Sequence, residues 1–172
     1  MNSIQLITKH NKYNQIFSKL ELASKGIYCL GNTDILDKTL IGIVGTRQPT
    51  NYGINQTRIL VNKLSRLDVG IVSGLAIGID IIAHKASIRN NLPTIAVLPN
   101  SLEQIYPKRH TAIAQEIGNK GLLVSEYIGS SNPTLPYHFP KRNRIISGLS
   151  DILIVVEADI NSGSLITANQ SL

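Results

Sequence analysis

Cysteine is nearly absent: Cys29 is the one copy among 172 residues, so the chain cannot close an internal disulfide, and no Cys/His spacing of the zinc-binding type occurs in it. A disulfide-framed secreted fold and a zinc-held module are both excluded. Long hydrophobic runs are missing too. No stretch approaches the roughly 20 apolar residues that a membrane-crossing helix requires, and residues 1–12 are polar, without the apolar centre of a signal peptide. The expectation is a cytoplasmic protein that does not span a membrane. Acidic residues are scarce beside basic ones, 11 against 17, which gives a formal charge of +6. Such an excess suits an anionic partner, although charge alone fits an ordinary basic protein equally well. Two nucleotide signatures are also lacking: no G-x-G-x-x-G follows a strand, and no G-x-x-x-x-G-K-[ST] occurs. NAD chemistry and ATP hydrolysis are not expected, and no cofactor is implied.

What the chain does have is one core's worth of apolar residues, 42% of its length, arranged in a rhythm. Short runs rich in Ile, Val and Leu fall at residues 40–44, 69–72, 94–98, 122–124 and 152–156. Runs this short and this free of polar residues are expected of parallel strands covered on both faces. Between them lie amphipathic stretches. Leu60, Val61, Leu64 and Leu67 make one apolar stripe, with Arg58, Lys63 and Arg66 on the other side. Ile81, Ile82 and Ala86 mark a second helix. A third follows Pro107, with Ile113, Ala114 and Ile117 inward and Gly118 as its stop, and a fourth carries Ile145, Ile146 and Leu149. Alternation of this kind predicts an α/β fold, a Rossmann-like, doubly wound and mainly parallel sheet with helices on both faces and ligands at the carboxyl ends of the strands.

Residues 1–38 fit the rhythm poorly and read as a lead-in to a domain over residues 39–172, although residues 27–30 could form a short strand and residues 16–22 a helical turn. Residues 163–172 read as a turn entering a helix, after which a parallel sheet would normally gain further strands. The sheet is therefore expected to continue beyond Leu172.

Three glycine-containing turns follow strands: Gly45-Thr46-Arg47, the run from Ser73-Gly74 to Asp80, and Ser162-Gly163-Ser164. Glycine lets backbone N–H groups approach a phosphate, and the helix that follows adds a partial positive charge. Glycines at strand-to-helix turns also serve geometry alone, so one turn by itself decides little; three at one sheet end favour anion binding. The run from Phe139 to Ser150 is more informative. It sets Lys141, Arg142 and Arg144, with Asn143 between them, at the start of the fourth helix. Cations there oppose the helix macrodipole unless an anion is present. Phe139 could stack on an unpaired base or anchor the core. His10, His84, His110 and His138 pair with no nucleophile at a strand end, so no catalytic triad is supported. His84 reads as a packed group, Asp80 as a turn-orienting or capping group, and Cys29 as inert core.

The run Phe139-Pro140-Lys141-Arg142-Asn143-Arg144-Ile145-Ile146-Ser147-Gly148-Leu149-Ser150, taken with residues 43–47, 73–80, 106–107, 123–127 and 162–168, resembles the DNA-processing protein family, DprA/Smf. The likeness extends from about residue 27 to the end. It implies a Rossmann-like domain that binds single-stranded DNA, helps load the RecA recombinase during natural transformation, usually dimerises, and is not an enzyme. It also implies that Arg47 and the Lys141–Arg144 cluster hold phosphates. Ile77 stands where family members often carry a polar or basic residue. The final strands of the domain, a C-terminal winged-helix module and an N-terminal helical module are not seen, which leaves an inactive, truncated family member as one alternative. Another is a nucleotide-binding phosphoribohydrolase, whose signature ends in Gly-Thr-x-x-Glu; here Thr167 stands where that glutamate would be.

Overall fold

A computed structural model describes residues 3–8, 26–129 and 135–158. Its centre is a seven-stranded sheet in the order β1-β2-β6-β5-β4-β3-β7. The five apolar runs form β3 (Thr39–Val44), β4 (Val69–Ser73), β5 (Thr94–Val97), β6 (Leu122–Ser125) and β7 (Ile152–Val155). All five pair in parallel with one another, in the order β6-β5-β4-β3-β7. From β3 the chain steps outward through β4 and β5 to β6, then returns to lay β7 on the far side of β3. The reversal beside β3 is a topological switch point, where open α/β sheets leave a crevice at the carboxyl ends.

Period-two alternation assigns each strand residue to a face. Leu40, Val44, Val72, Ile95, Val97 and Val124 point to one side, where they pack with Ile145, Ile146 and Leu149. Ile41, Ile43 and Ile71 point to the other, against Val61, Ile79 and Ala83. Helices α1 (Asn51–Leu64), α2 (Ile79–Arg89) and α3 (Thr111–Lys120) cover this second face, and α4 (His138–Leu149) covers the first. The expected Rossmann-like architecture is present.

Two edge strands complete the sheet. β2 (Ile27–Gly31) pairs antiparallel with β6, and β1 (Gln5–Ile7) pairs antiparallel with β2. The short strand expected at residues 27–30 is thus present and belongs to the same sheet, as do residues 5–7. At the opposite side β7 pairs only with β3 among the described residues, and Ile152 is 56% exposed.

Two helix ends differ from expectation. α1 stops at Leu64, with the backbone N–H of Ser65 bonded to Val61 O, so Leu67 leaves the apolar stripe and is 59% exposed. α3 runs through Gly118 and ends at Gly121. A Cβ on Gly121 would lie 2.3 Å from Thr94 O, whereas one on Gly118 would meet only ordinary contacts. Close backbone approach, not the first glycine in the sequence, sets the stop.

Candidate nucleic-acid interface

The turns after β3 and β4 meet where β7 and α2 begin to crowd them. Thr46 N donates to Glu157 O at 2.7 Å, and Ile79 N donates to Thr46 O at 3.2 Å. A Cβ on Gly45 would stand 2.5 Å from Ile79 Cγ1, and one on Gly78, whose φ is +92°, would stand 2.2 Å from Thr46 O. These glycines admit other parts of the chain. The two helix N-termini behind them already face carboxylates, a favourable placement for negative charge. Glu157 accepts from Thr50 N at 3.1 Å and from the Thr50 hydroxyl at 3.2 Å at the start of α1, and Asp80 lies in the first turn of α2.

Above this packed floor Arg47 is exposed, with its guanidinium carbon 5.2 Å from the centroid of the Phe139 ring. Phe139 in turn meets Tyr106 edge to face, centroids 5.7 Å apart. A depression of about 40 Å³ lies among Arg47, Gly74, Ala76, Tyr106, Phe139 and Arg142. Further along α4, Lys141 is exposed, with its Nζ 5.5 Å from the centroid of the half-exposed Tyr137. Each of these two cations therefore stands over an aromatic face that itself reaches solvent. A larger cavity of about 1030 Å³ lies between α3, Leu30 and Leu123 and adjoins the depression at Tyr106. Neither Arg47 nor Phe139 lines it, and the site is assigned by charge and ring placement, not by volume.

The remaining cations of the α4 run are placed otherwise. Arg142 is 4% exposed and turned into the protein. Its Nη1 donates to Gly74 O and, at 2.6 Å, to Val97 O, while its Nε donates to Asn143 Oδ1 at 3.1 Å. Asp80 lies close enough to favour its charge and accepts from Gly74 N at 3.1 Å. Burial pushes the Asp80 carboxyl up, against the pull of Arg142 and of the Gly74 and Ala76 amides. Burial also lowers Arg142 to about 10, with Asp80 opposing the fall and Arg47 adding to it. Arg144 is ion-paired with the largely buried Glu126. The anions that the helix start required are thus in part supplied from within.

Of the residues singled out in the sequence, Gly45, Thr46, Arg47, Gly74, Phe139 and Lys141 gather at one end of the sheet. Ser73 is a correction, being fully buried with its hydroxyl donating to Ile43 O at 2.6 Å. Arg142 is another in its placement, being nearly buried at the base of the depression with its Nη1 turned onto two backbone carbonyls. Its position was legible: residues 142, 145, 146 and 149 share one helical stripe, and the last three are the stripe that packs on the sheet. Ser162, Gly163 and Ser164 lie outside the described residues. Asp80 orients a turn, as its position suggested. No site role was read for Tyr106, Tyr137, Glu126 or Glu157, although residues 106 and 126 fall in stretches that carry the family resemblance; Tyr137, four positions before Lys141, carried a signal in its nearness to that cation.

His84 is fully buried with Nδ1 2.8 Å from Thr94 Oγ1, and burial, helped by Arg142 and His110, lowers it to about 3. His110 Nδ1 lies 2.8 Å from Leu75 O. Among the described residues no group of three or more potential metal ligands occurs, and no helix is long and apolar enough to cross a membrane.

Fold and site together define a Rossmann-like α/β protein with cations over aromatic rings at its strand ends. The chain belongs to the DNA recombination-mediator protein A family, whose model matches residues 5–172. It is 44% identical over 147 residues to the DNA processing protein DprA of Bacillus subtilis, covering 85% of this chain and 49% of that one. The solved DNA processing protein A of Helicobacter pylori, studied for its single-stranded DNA binding mode, superposes with a TM-score of 0.87 at 35% identity, covering 98% of this chain and 76% of that one. The DprA structure from Streptococcus pneumoniae also gives 0.87, at 37% identity, covering 99% and 59%. The chain spans about half of the Bacillus relative's length.

Proposed function

We propose that this chain is a non-catalytic single-stranded DNA-binding unit of DNA uptake and recombination, acting in the cytoplasm as a homodimer alongside a RecA recombinase. The observation that carries the reading is the placement of Arg47 over Phe139 and of Lys141 over Tyr137. Cations that keep their hydrogen-bond donors toward solvent grip phosphates, and half-exposed rings beside them offer faces for unpaired bases. A duplex hides those base faces. The membership of the family and the single-stranded DNA binding of the Helicobacter relative support the same ligand. Dimerisation and the recombinase partner rest on family resemblance.

Titration of the purified chain with labelled single-stranded and double-stranded oligonucleotides at two salt concentrations tests this. Tighter binding of the single strand, weakening steeply with salt, is expected, since each phosphate contact releases condensed counterion. Equal affinity for the two forms, or a flat salt response, overturns it.

A further inference from the structure

Arg142 sits in the α4 run that carries Phe139 and Lys141, yet it points the opposite way. Its guanidinium reaches the last carbonyl of β5 at Val97 and the first carbonyl after β4 at Gly74. Asn143 takes its Nε, and the Asp80 carboxylate beside it takes Gly74 N. Gly74 is shaped to this: a Cβ there would lie 2.1 Å from Arg142 Nη1 and 2.4 Å from Cζ. The glycine that invites a phosphate reading is the seat of a guanidinium from the same chain.

We infer that Arg142, seated on Gly74 and balanced by Asp80, is a positioning residue that fixes the first turn of α4 against the ends of β4 and β5, and so holds Phe139 beneath Arg47 for nucleic-acid binding. The inference rests on the DNA-binding reading above and removes Arg142 from the phosphate ligands. The chemistry requires arginine. A planar fork can serve two carbonyls and a side-chain amide at once, whereas an ammonium on a flexible stem keeps the charge and loses the fixed geometry. Phe139 precedes Arg142 by three positions, nearly one helical turn, so play at Arg142 moves the ring directly.

The test separates a brace from a ligand by salt dependence. Binding of a fluorescein-labelled oligothymidylate is measured over a salt series for the wild type, Arg142→Lys, the charge-balanced pair Arg142→Gln with Asp80→Asn, Gly74→Ala, and Arg47→Ala. Removing a phosphate ligand lowers the slope of log affinity against log salt by about 0.7 per contact on a single strand. The expected result is that Arg142→Lys, the double variant and Gly74→Ala each bind about tenfold more weakly, the scale of one lost base–ring stack, with the wild-type slope. Arg47→Ala loses slope as well as affinity. A double variant that loses slope as Arg47→Ala does, or an Arg142→Lys that binds like the wild type, overturns the positioning role.

Should the variants fail to fold, the wild type still decides. In a ¹⁵N spectrum the Arg142 Nε–H is expected to exchange slowly with water and to stay in place as oligonucleotide is added, while that of Arg47 moves. An Arg142 signal that exchanges fast in the free protein, or shifts like that of Arg47, overturns the brace. Failure of the wild type to bind any single strand is a different outcome: it sinks the DNA-binding reading itself, and the positioning role falls with it.

Discussion

The lip and the floor of the strand-end site use the same residue types in opposite ways. On the lip, Arg47 and Lys141 rest over Phe139 and Tyr137 and face solvent. On the floor, Arg142 is held by two backbone carbonyls with Asp80 near enough to favour its charge, and two positions on, Arg144 is paired with Glu126. A ring leaves a cation's donors available, because the attraction comes from the ring's quadrupole and takes no hydrogen bond. A carboxylate or carbonyl uses them. Counting cations in a sequence run therefore overstates the charge offered to a ligand; what matters is which of them the fold has already answered.

The sharpest way to break this contrast is Asp80→Ala. If the floor is dry, the variant removes the nearby charge that favours buried Arg142 and the acceptor of Gly74 N, and should cost about 3–5 kcal/mol in urea unfolding, the scale for a buried charge left uncompensated. A loss below about 1 kcal/mol, typical of a solvated pair, would mean that Arg142 reaches water and that lip and floor do not differ.

Acid offers a second probe of the same floor. His84, fully buried against Thr94 and within electrostatic reach of Arg142, is held neutral in the fold at about 3 against 6.5 for a free histidine, with burial the main cause. Between these values the unfolded chain binds the extra proton and the folded one does not. Stability from this group is thus complete above about pH 6.5 and declines as pH falls toward 3, by up to about 1.4 kcal/mol per unit. Urea midpoints from neutral to mildly acid pH should show this slope in the wild type and a shallower one in His84→Gln. Equal slopes in both proteins would place His84 in contact with water.

The lip should answer in binding and hardly in stability. Lys141→Ala and Arg47→Ala are expected to leave unfolding free energy within about 0.5 kcal/mol of the wild type, as surface changes do. Each should still weaken single-strand binding. A marked loss of stability in either would reassign that cation to the floor.

How much of this could be read beforehand depended on distance along the chain. Strands β3 to β6 were legible because parallel strands buried on both faces are unbroken apolar runs, and Leu40 to Val44 has no other comfortable place; β7 shares that composition, although its residues are partly to largely exposed among the described residues. β1 was not, since Gln5-Leu6-Ile7 is too short to show a period and is defined only by pairing with β2. The ends of α1 and α3 turned on a local cap and on the approach of Thr94 O to Gly121, neither of which leaves a mark in spacing. That the turns at Gly45 and Gly74 share one sheet end followed from topology, while Phe139 and Lys141 were joined to them only through the family resemblance. The inward turn of Arg142 was readable from its stripe, but its reason was not: Gly74 lies 68 positions away, and Glu157 reaches Thr50 across 107. Side chains that answer charges from such separations are invisible until the fold is known.

The depression under Arg47 measures about 40 Å³, against roughly 300 Å³ or more for a pocket that engulfs a small molecule. A free nucleotide would find a shallow surface edged by Arg47, Phe139 and Tyr106. Affinity on such a surface has to be assembled from repeated weak holds along a polymer, each raising the effective concentration of the next. Selection between a dissolved monomer and a strand then needs no gate or discriminating group. On the proposed reading it is a matter of length: shallow relief would let mononucleotides come and go while a chain of them stays.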